Sequence, residues 1–264
     1  MRTLLALFVI SFLIAGCGQD AAETTVATSP PAEPAVSIYA AAVASETRPE
    51  ADRESDARRN PEAVLEFFGV KPGDVVLEMW AGGGYYTELL AHVIGENGKV
   101  FAHANTPLLG FVGDEHAARH ADNRLPNTEV LMAENNELAL EADTFDVVTI
   151  ILNYHDLYWA SEQYGWEQID VPVFLAEIYK SLKPGGTLGI VDHQAVSGSP
   201  PETGNTLHRI DSAIVIAELE GVGFVLDGES DVLANPDDDH TKSVFDPEIR
   251  GKTDRYVLRF RKPQ

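Results

Sequence analysis

The chain has 264 residues, 44% of them hydrophobic and 8% aromatic, enough for one α/β domain with a sizeable core and too apolar for disorder throughout. Nineteen Lys and Arg against 42 Asp and Glu leave a formal charge of −23, which repels phosphate backbones and excludes nucleic acid as a partner held by charge. No apolar run reaches the roughly 18 residues of a spanning helix, which excludes a polytopic membrane protein, and a single cysteine, Cys17, excludes a disulfide framework and a Cys-rich zinc site.

In chain order, Arg2 precedes an apolar stretch over residues 4–14, followed by Ala15, Gly16 and Cys17. This is the three-part layout of a secretory signal, too short to span a bilayer and not part of the folded domain. Its ending, Ile14-Ala15-Gly16-Cys17, resembles a bacterial lipobox, which implies a lipidated Cys17 at the mature N-terminus and an exported, periplasm-facing lipoprotein of the cell envelope. Gly18 stands where Asp would signal inner-membrane retention, so the outer membrane is the expected address. Residues 1–16 are thus expected to be a signal peptide. Residues 17–47, rich in Ala, Thr, Ser, Pro and Glu over 18–46, are expected to be a disordered tether, and residues 48–264 the domain.

Within that domain, Asn60-Pro61 starts a helix over 61–68, and Lys71-Pro72-Gly73-Asp74 turns the chain into an apolar strand over 75–80. Gly82-Gly83-Gly84 breaks the strand before a helix over 85–94, and a second strand follows over 99–104. Further strands are expected at 129–132, 145–152 and 187–192, the last preceded by a helix over 173–182 that Lys183-Pro184-Gly185-Gly186 stops. The almost wholly apolar run Val147-Val148-Thr149-Ile150-Ile151-Leu152 suits a parallel strand covered on both faces. A helix over 212–220 and strands over 224–230 and 255–261, a terminal antiparallel pair, complete an α/β, doubly wound, mostly parallel sheet.

A glycine cluster between a buried strand and a helix lets backbone approach a ligand closely and aims free helix N–H groups at it; by itself it equally suits a tight turn. The joint pattern is more specific. Lys71-Pro72-Gly73-Asp74-Val75-Val76-Leu77-Glu78, the glycine loop, Asp143-Thr144-Phe145-Asp146-Val147-Val148 and Leu182-Lys183-Pro184-Gly185-Gly186-Thr187-Leu188 stand in the order and spacing that resemble class I S-adenosylmethionine-dependent methyltransferases. Ala81-Gly82-Gly83-Gly84-Tyr85-Tyr86-Thr87-Glu88 and the tail Asp239-His240-Thr241-Lys242-Ser243-Val244-Phe245-Asp246 look similar to a little-characterised bacterial group labelled predicted methyltransferases.

The resemblance implies a seven-stranded Rossmann-like methyltransferase sheet and S-adenosyl-L-methionine as cofactor. It would be held by Glu78 at the first strand end, by Gly82, Gly83 and Gly84, by Asn105 after the second strand, by Glu134 beside the adenine and by Asn153 after the fourth strand. Two departures stand out. Trp80 occupies the place of the loop's first glycine, and the second strand ends in His103-Ala104-Asn105, where an acid usually takes both ribose hydroxyls.

Ligands in open α/β sheets bind outside the carboxyl ends of the strands. Two such ends carry ionisable clusters, Asn153-Tyr154-His155-Asp156 and Asp192-His193. His155 and His193 are the candidate catalytic residues, as bases toward an attacking hydroxyl or amine, or simply as partners of loop carbonyls. Tyr154, Tyr158, Trp159, Tyr164 and Trp166 suit either an aromatic cage or a packed lid. His155, Asp156, Asp192, His193 and His208 match no compact metal motif, so no metal is expected, and Asp237-Asp238-Asp239-His240 suits a solvated turn in a long loop. Two functions remain open on these residues: a methyltransferase for a small-molecule acceptor, or a membrane-tethered, non-catalytic binding module. Trp80 and the absent ribose acid favour the second, as does the scarcity of S-adenosylmethionine outside the cytoplasm.

Overall fold

The computed structural model of the chain describes residue 11 and residues 36–264; the rest of the expected signal, Cys17 and the expected tether up to residue 35 lie outside the described residues. Seven strands form one sheet in the order β3-β2-β1-β4-β5-β7-β6. They are β1 (Val75–Met79), β2 (Lys99–Ala104), β3 (Thr128–Met132), β4 (Phe145–Ile151), β5 (Leu182–His193), β6 (Val225–Ser230) and β7 (Arg255–Arg261). Pairs among β1 to β5 are parallel, and β7 runs antiparallel to both β5 and β6, as the sequence predicts. Strand order reverses between β1 and β4, which opens a crevice at their carboxyl ends.

Eight α-helices accompany these strands among the described residues: α1 (Ile38–Val43), α2 (Glu50–Arg59), α3 (Pro61–Phe68), α4 (Tyr85–Ile94), α5 (Thr106–His120), α6 (Val171–Ser181), α7 (Thr203–Leu207) and α8 (Ser212–Val222). None is long and apolar enough to cross a membrane. Successive strand residues point to opposite faces, so the sheet feeds two cores. Val76, Val100 and Val147 join Leu65, Phe68 and Leu90 of α3 and α4. Leu77, Val148 and Ile190 join Phe174, Ile178 and Leu219 of α6 and α8.

Two expectations change. The tether was placed through residue 47, yet the compact unit begins at Val36. Ser37 caps α1 by accepting from the Ala40 N–H at 2.9 Å, Ala42 is buried, and the Tyr39 hydroxyl donates to the Val70 carbonyl. Composition hid this short helix because only one of its faces packs. The Lys183-Pro184-Gly185-Gly186 stop lies inside β5, not before it: Leu182 pairs with Phe145 and the ladder resumes at Val147 and Thr187 after an irregularity. Pro184 has no N–H to offer that ladder and Gly185 sits at φ +78°.

The acidic run is not wholly solvated either. Asp237 and Asp239 are exposed, but Asp238 is buried and takes both arms of the buried Arg209 guanidinium, at 2.9 and 3.0 Å. Lys242 pairs with Glu248 rather than with that run.

Besides α1, sequence periodicity misses α2, α5 and α7. Only Leu108, His116 and Arg119 of α5 are buried, and polar contacts fasten it. Glu88 of α4, itself fully buried, binds Arg119 and Arg124 and approaches His92 at 3.6 Å. Burial alone would raise the Glu88 pKa, but hydrogen bonds from His92, Arg124 and Arg119 bring it down to about 2. Glu88→Gln should therefore lower unfolding free energy at neutral pH by about 3–5 kcal/mol. Because the folded pKa lies below the unfolded one, this stabilisation is complete above about pH 4.3 and drains away toward pH 2. Urea unfolding should show the gap between wild type and variant narrowing over that window; a constant gap would contradict the assignment.

Candidate active site

At the carboxyl end of β1 the chain turns through Trp80 (φ +50°), Ala81, Gly82 (φ +59°) and Gly84 (φ +84°) before entering α4. The left-handed conformation at Trp80 costs a non-glycine residue about 1–2 kcal/mol. Its indole offsets that by turning into the core, where it stacks on Phe174 with centroids 5.1 Å apart and planes 5° apart, and Nε1 donates to Asn135 Oδ1 at 2.9 Å. The bulk expected at the strand exit is thus buried under the loop.

A cavity of about 860 Å³ opens above this turn, lined among others by Glu78, Gly82, Gly83, Arg59, Arg119 and Asn153. The Thr87 hydroxyl donates to Glu78 Oε2 at 2.5 Å. Burial pushes the Glu78 pKa up to about 8 against the pull of Thr87 and Arg119. Only Gly82 faces open space. A Cβ on Gly83 would come within 2.5 Å of Glu115, and one on Gly84 within 2.6 Å of Arg119, so α5 has taken the close approach that the sequence reserved for a ligand. His116 Nδ1 lies 3.2 Å from the Gly82 carbonyl, and Arg119 Nε donates to the Gly83 carbonyl at 3.0 Å.

A second cavity, about 680 Å³, lies across α5 and is lined by Thr106, Phe111, Glu134, Asn135 and Tyr164. Asn105 is fully buried and does not line it. Its Oδ1 caps α5 through the Leu108 N–H, and its Nδ2 donates to Asn135 Oδ1. His103 is also fully buried: Nε2 donates to the Ala133 carbonyl, and Nδ1 accepts from the Trp80 N–H. Burial holds it near pKa 4, in the neutral form those bonds require. Glu134 instead brings a carboxylate to the β2 end, accepting from the Thr106 hydroxyl at 2.6 Å.

His155 and His193 come together as expected, with ring centroids 5.9 Å apart, but neither imidazole lines the main cavity. His155 Nδ1 is 2.7 Å from Asp192 Oδ1, and its own N–H donates to Asp192 Oδ2. Burial by itself disfavours the charged ring, yet the Asp192 and Asp156 carboxylates outweigh it and raise the pKa to about 9. At neutral pH His155 therefore already carries its proton and is no base. His193 is the opposite case: burial, then the His155 charge, hold it well below the ordinary histidine range, with Nδ1 on the Thr253 hydroxyl at 2.7 Å. The aromatic residues pack rather than form a cage. Tyr154 and Trp166 are buried, and Tyr154 and Tyr158 both bind Glu218 of α8. Sequence reasoning missed Glu115, Arg119 and Phe245, which line the main cavity.

A glycine loop after β1, a buried acid at that strand's end and a mostly parallel sheet closed by an antiparallel β7 define the Rossmann-like fold of S-adenosylmethionine-dependent methyltransferases. The chain belongs to the ubiE/COQ5 methyltransferase family, whose model matches residues 58–200. It is 29% identical over 139 residues to the ubiquinone/menaquinone biosynthesis C-methyltransferase UbiE of Hydrogenovibrio crunogenus, covering 51% of this chain and 48% of the relative. It is 27% identical over 130 residues to the 2-phytyl-1,4-naphtoquinone methyltransferase of Synechococcus elongatus, covering 49% and 50%. The chain thus spans about half the length of the curated relatives it matches. The crystal structure of a SAM-dependent methyltransferase from Aquifex aeolicus superposes with a TM-score of 0.56 at 26% identity, over 81% of this chain and 95% of that one.

The residues present fit that cofactor. Glu78 suits the ammonium of its amino-acid end and the Arg59 guanidinium suits its carboxylate, while Glu134, in the second cavity, offers the acid that β2 lacks. A protonated Glu78 is a poor partner for an ammonium. Affinity for S-adenosylhomocysteine should accordingly rise as pH climbs toward about 8, where the Glu78 proton leaves. Calorimetry from pH 6.5 to 8.5 should show this slope flattened in Glu78→Gln; an unchanged slope in that variant would remove Glu78 from the linkage.

Proposed function

We propose that the protein is a methyltransferase that alkylates a ring carbon of a small quinol-type acceptor. The observation that carries this reading is the main cavity, which brings four acids, Asp52, Glu54, Glu78 and Glu115, and three guanidiniums, Arg58, Arg59 and Arg119, together with the apolar side chains of Ile151, Leu152 and Phe245 at the strand crossover. The names of these two curated relatives, a ubiquinone/menaquinone biosynthesis C-methyltransferase and a 2-phytyl-1,4-naphtoquinone methyltransferase, point to the same acceptor class. Both features that favoured a non-catalytic module find a place in the structure, since Trp80 turns inward and Glu134 stands beside Thr106.

Bound there, S-adenosylmethionine would supply the methyl group on a sulfonium and leave as the neutral thioether, and the proton displaced from the ring carbon would pass to solvent. The chain contributes position. Glu78 and Arg59 would hold the charged end, Ile151 and Leu152 offer the acceptor a partly buried apolar wall, and α5 fixes the loop through Arg119, so the gain comes from holding the two reactants in line. Among the described residues no imidazole lines this cavity to act as base. The purified full chain should transfer labelled methyl from S-adenosylmethionine to reduced naphthoquinones, and Glu78→Ala should lower kcat/KM at least about 10²-fold. Binding of S-adenosylhomocysteine without transfer to any quinol would overturn the acceptor class and leave the family intact.

We also propose, on the sequence of residues 1–17, that the protein is a lipid-anchored protein of the cell envelope. Cys17→Ser should move it from the membrane to the soluble fraction; wild-type protein recovered soluble with Met1 retained would refute the anchor.

A further inference from the structure

We propose that His155, Asp156 and His208 form a binding site for a first-row divalent cation of the zinc type, set behind the Asn153 wall of the main cavity. One donor atom of each residue lies within 4.8 Å of the other two. His155 Nε2 is 3.4 Å from Asp156 Oδ1, and His208 Nδ1 is 3.5 Å from the same oxygen. A cation with bonds of about 2.0–2.2 Å keeps its donors about 3.0–3.5 Å apart, so two of the three separations already suit one. A small swing of the His208 ring, which is only half buried, closes the third.

Supporting contacts orient each donor. Asp192 takes the Nδ1 side of His155 at 2.7 Å and leaves Nε2 to face the cluster, where a bound cation displaces its proton. Asn153 Nδ2 donates to Asp156 Oδ2 at 3.1 Å and leaves Oδ1 free. Carboxylate-held imidazoles of this kind are how proteins fix metal-binding histidines.

The backbone is committed to the same arrangement. His208 ends α7 in the left-handed region, at φ +53°, a strained choice for a non-glycine residue that clusters at functional sites. A Cβ on Gly204 would overlap the His155 carbonyl, so the glycine is what allows α7 to press against the 3₁₀ turn Tyr154–Tyr158 and deliver His208 to it. Two carboxylates, Asp156 and Asp192, meet the charge of a dication. The neighbouring Arg209 guanidinium is already satisfied by Asp238.

Two imidazoles with one carboxylate select Zn²⁺, Co²⁺ or Fe²⁺ over Mg²⁺ or Ca²⁺, and three protein donors leave a coordination position open. That position borders Phe245, whose ring meets His208 edge-on at 4.8 Å and which also lines the main cavity. Metal binding here requires no methyl transfer and stands if none is found.

The test uses the full chain, without a polyhistidine tag, stripped with chelator and titrated with ZnCl₂ by calorimetry and with CoCl₂ by visible absorption. The expected result is one equivalent bound with a micromolar or tighter Kd, with ligand-field bands for Co²⁺. His208→Gln and Asp156→Ala, each checked by circular dichroism, should abolish it. Asp192→Asn keeps all three donors and should weaken binding about 10–100-fold. His240→Gln, which pairs with Asp254 elsewhere, should change nothing. Absence of binding by folded wild type, or binding that survives His208→Gln, would overturn the site and leave the cluster as a hydrogen-bonded charge network.

Discussion

The carboxylate of Asp192 is sealed from solvent at the end of β5, and a buried charge of this kind must be met by donors or it costs several kcal/mol. Three answer it: the His155 N–H, the His155 ring and the His193 N–H, at 2.8, 2.7 and 2.7 Å. Two strand ends are locked together by this one group. The turn after β4 then has a single orientation, in which Tyr154 reaches Glu218 on α8, His155 points Nε2 toward Asp156 and Asn153 meets the cavity.

A second polar centre governs the other side of the crevice. The Arg119 guanidinium binds Glu88 of α4, Asp52 of α2 and the Gly83 carbonyl. Three segments distant in sequence are thereby gathered at the glycine loop. Around the main cavity the overall charge of −23 is nearly balanced, with Arg58, Arg59 and Arg119 standing among Asp52, Glu54, Glu78 and Glu115. The repulsion that anionic groups meet over the rest of the protein is accordingly weaker there.

Departures from the family pattern acquire a structural meaning here. Trp80 trades a glycine's freedom for an indole that fills core space beside Phe174 and Trp166 and hydrogen-bonds Asn135. Asn105 trades a ribose contact for a helix cap. Both changes converge on Asn135 Oδ1, which accepts from Trp80 and Asn105 together, so the floor between β1, β2 and the loop after β3 is held by protein atoms. What remains open toward solvent is the Glu134 carboxylate.

The chain of local rules sufficed for the sheet. Parallel strands buried on both faces must be apolar runs, and Lys71-Pro72-Gly73-Asp74 and Gly82-Gly83-Gly84 mark their boundaries, so the glycine loop and the strands, apart from the start of β5, are legible in the sequence, while Glu78 is singled out only by the family resemblance. Helix α5 is not legible, because its stability rests on Glu88 and the loop carbonyls rather than on an apolar stripe that periodicity could reveal. The roles of the histidines were decided only in three dimensions. His155 and His208 stand far apart in the chain, and their meeting depends on Gly204 and the left-handed turn that ends α7. The protonation of His155 depends on Asp192 at the end of another strand. Hydrophobic pattern is a property of neighbouring residues, whereas the charge state of a buried group is set by whichever residues the fold brings within a few ångströms.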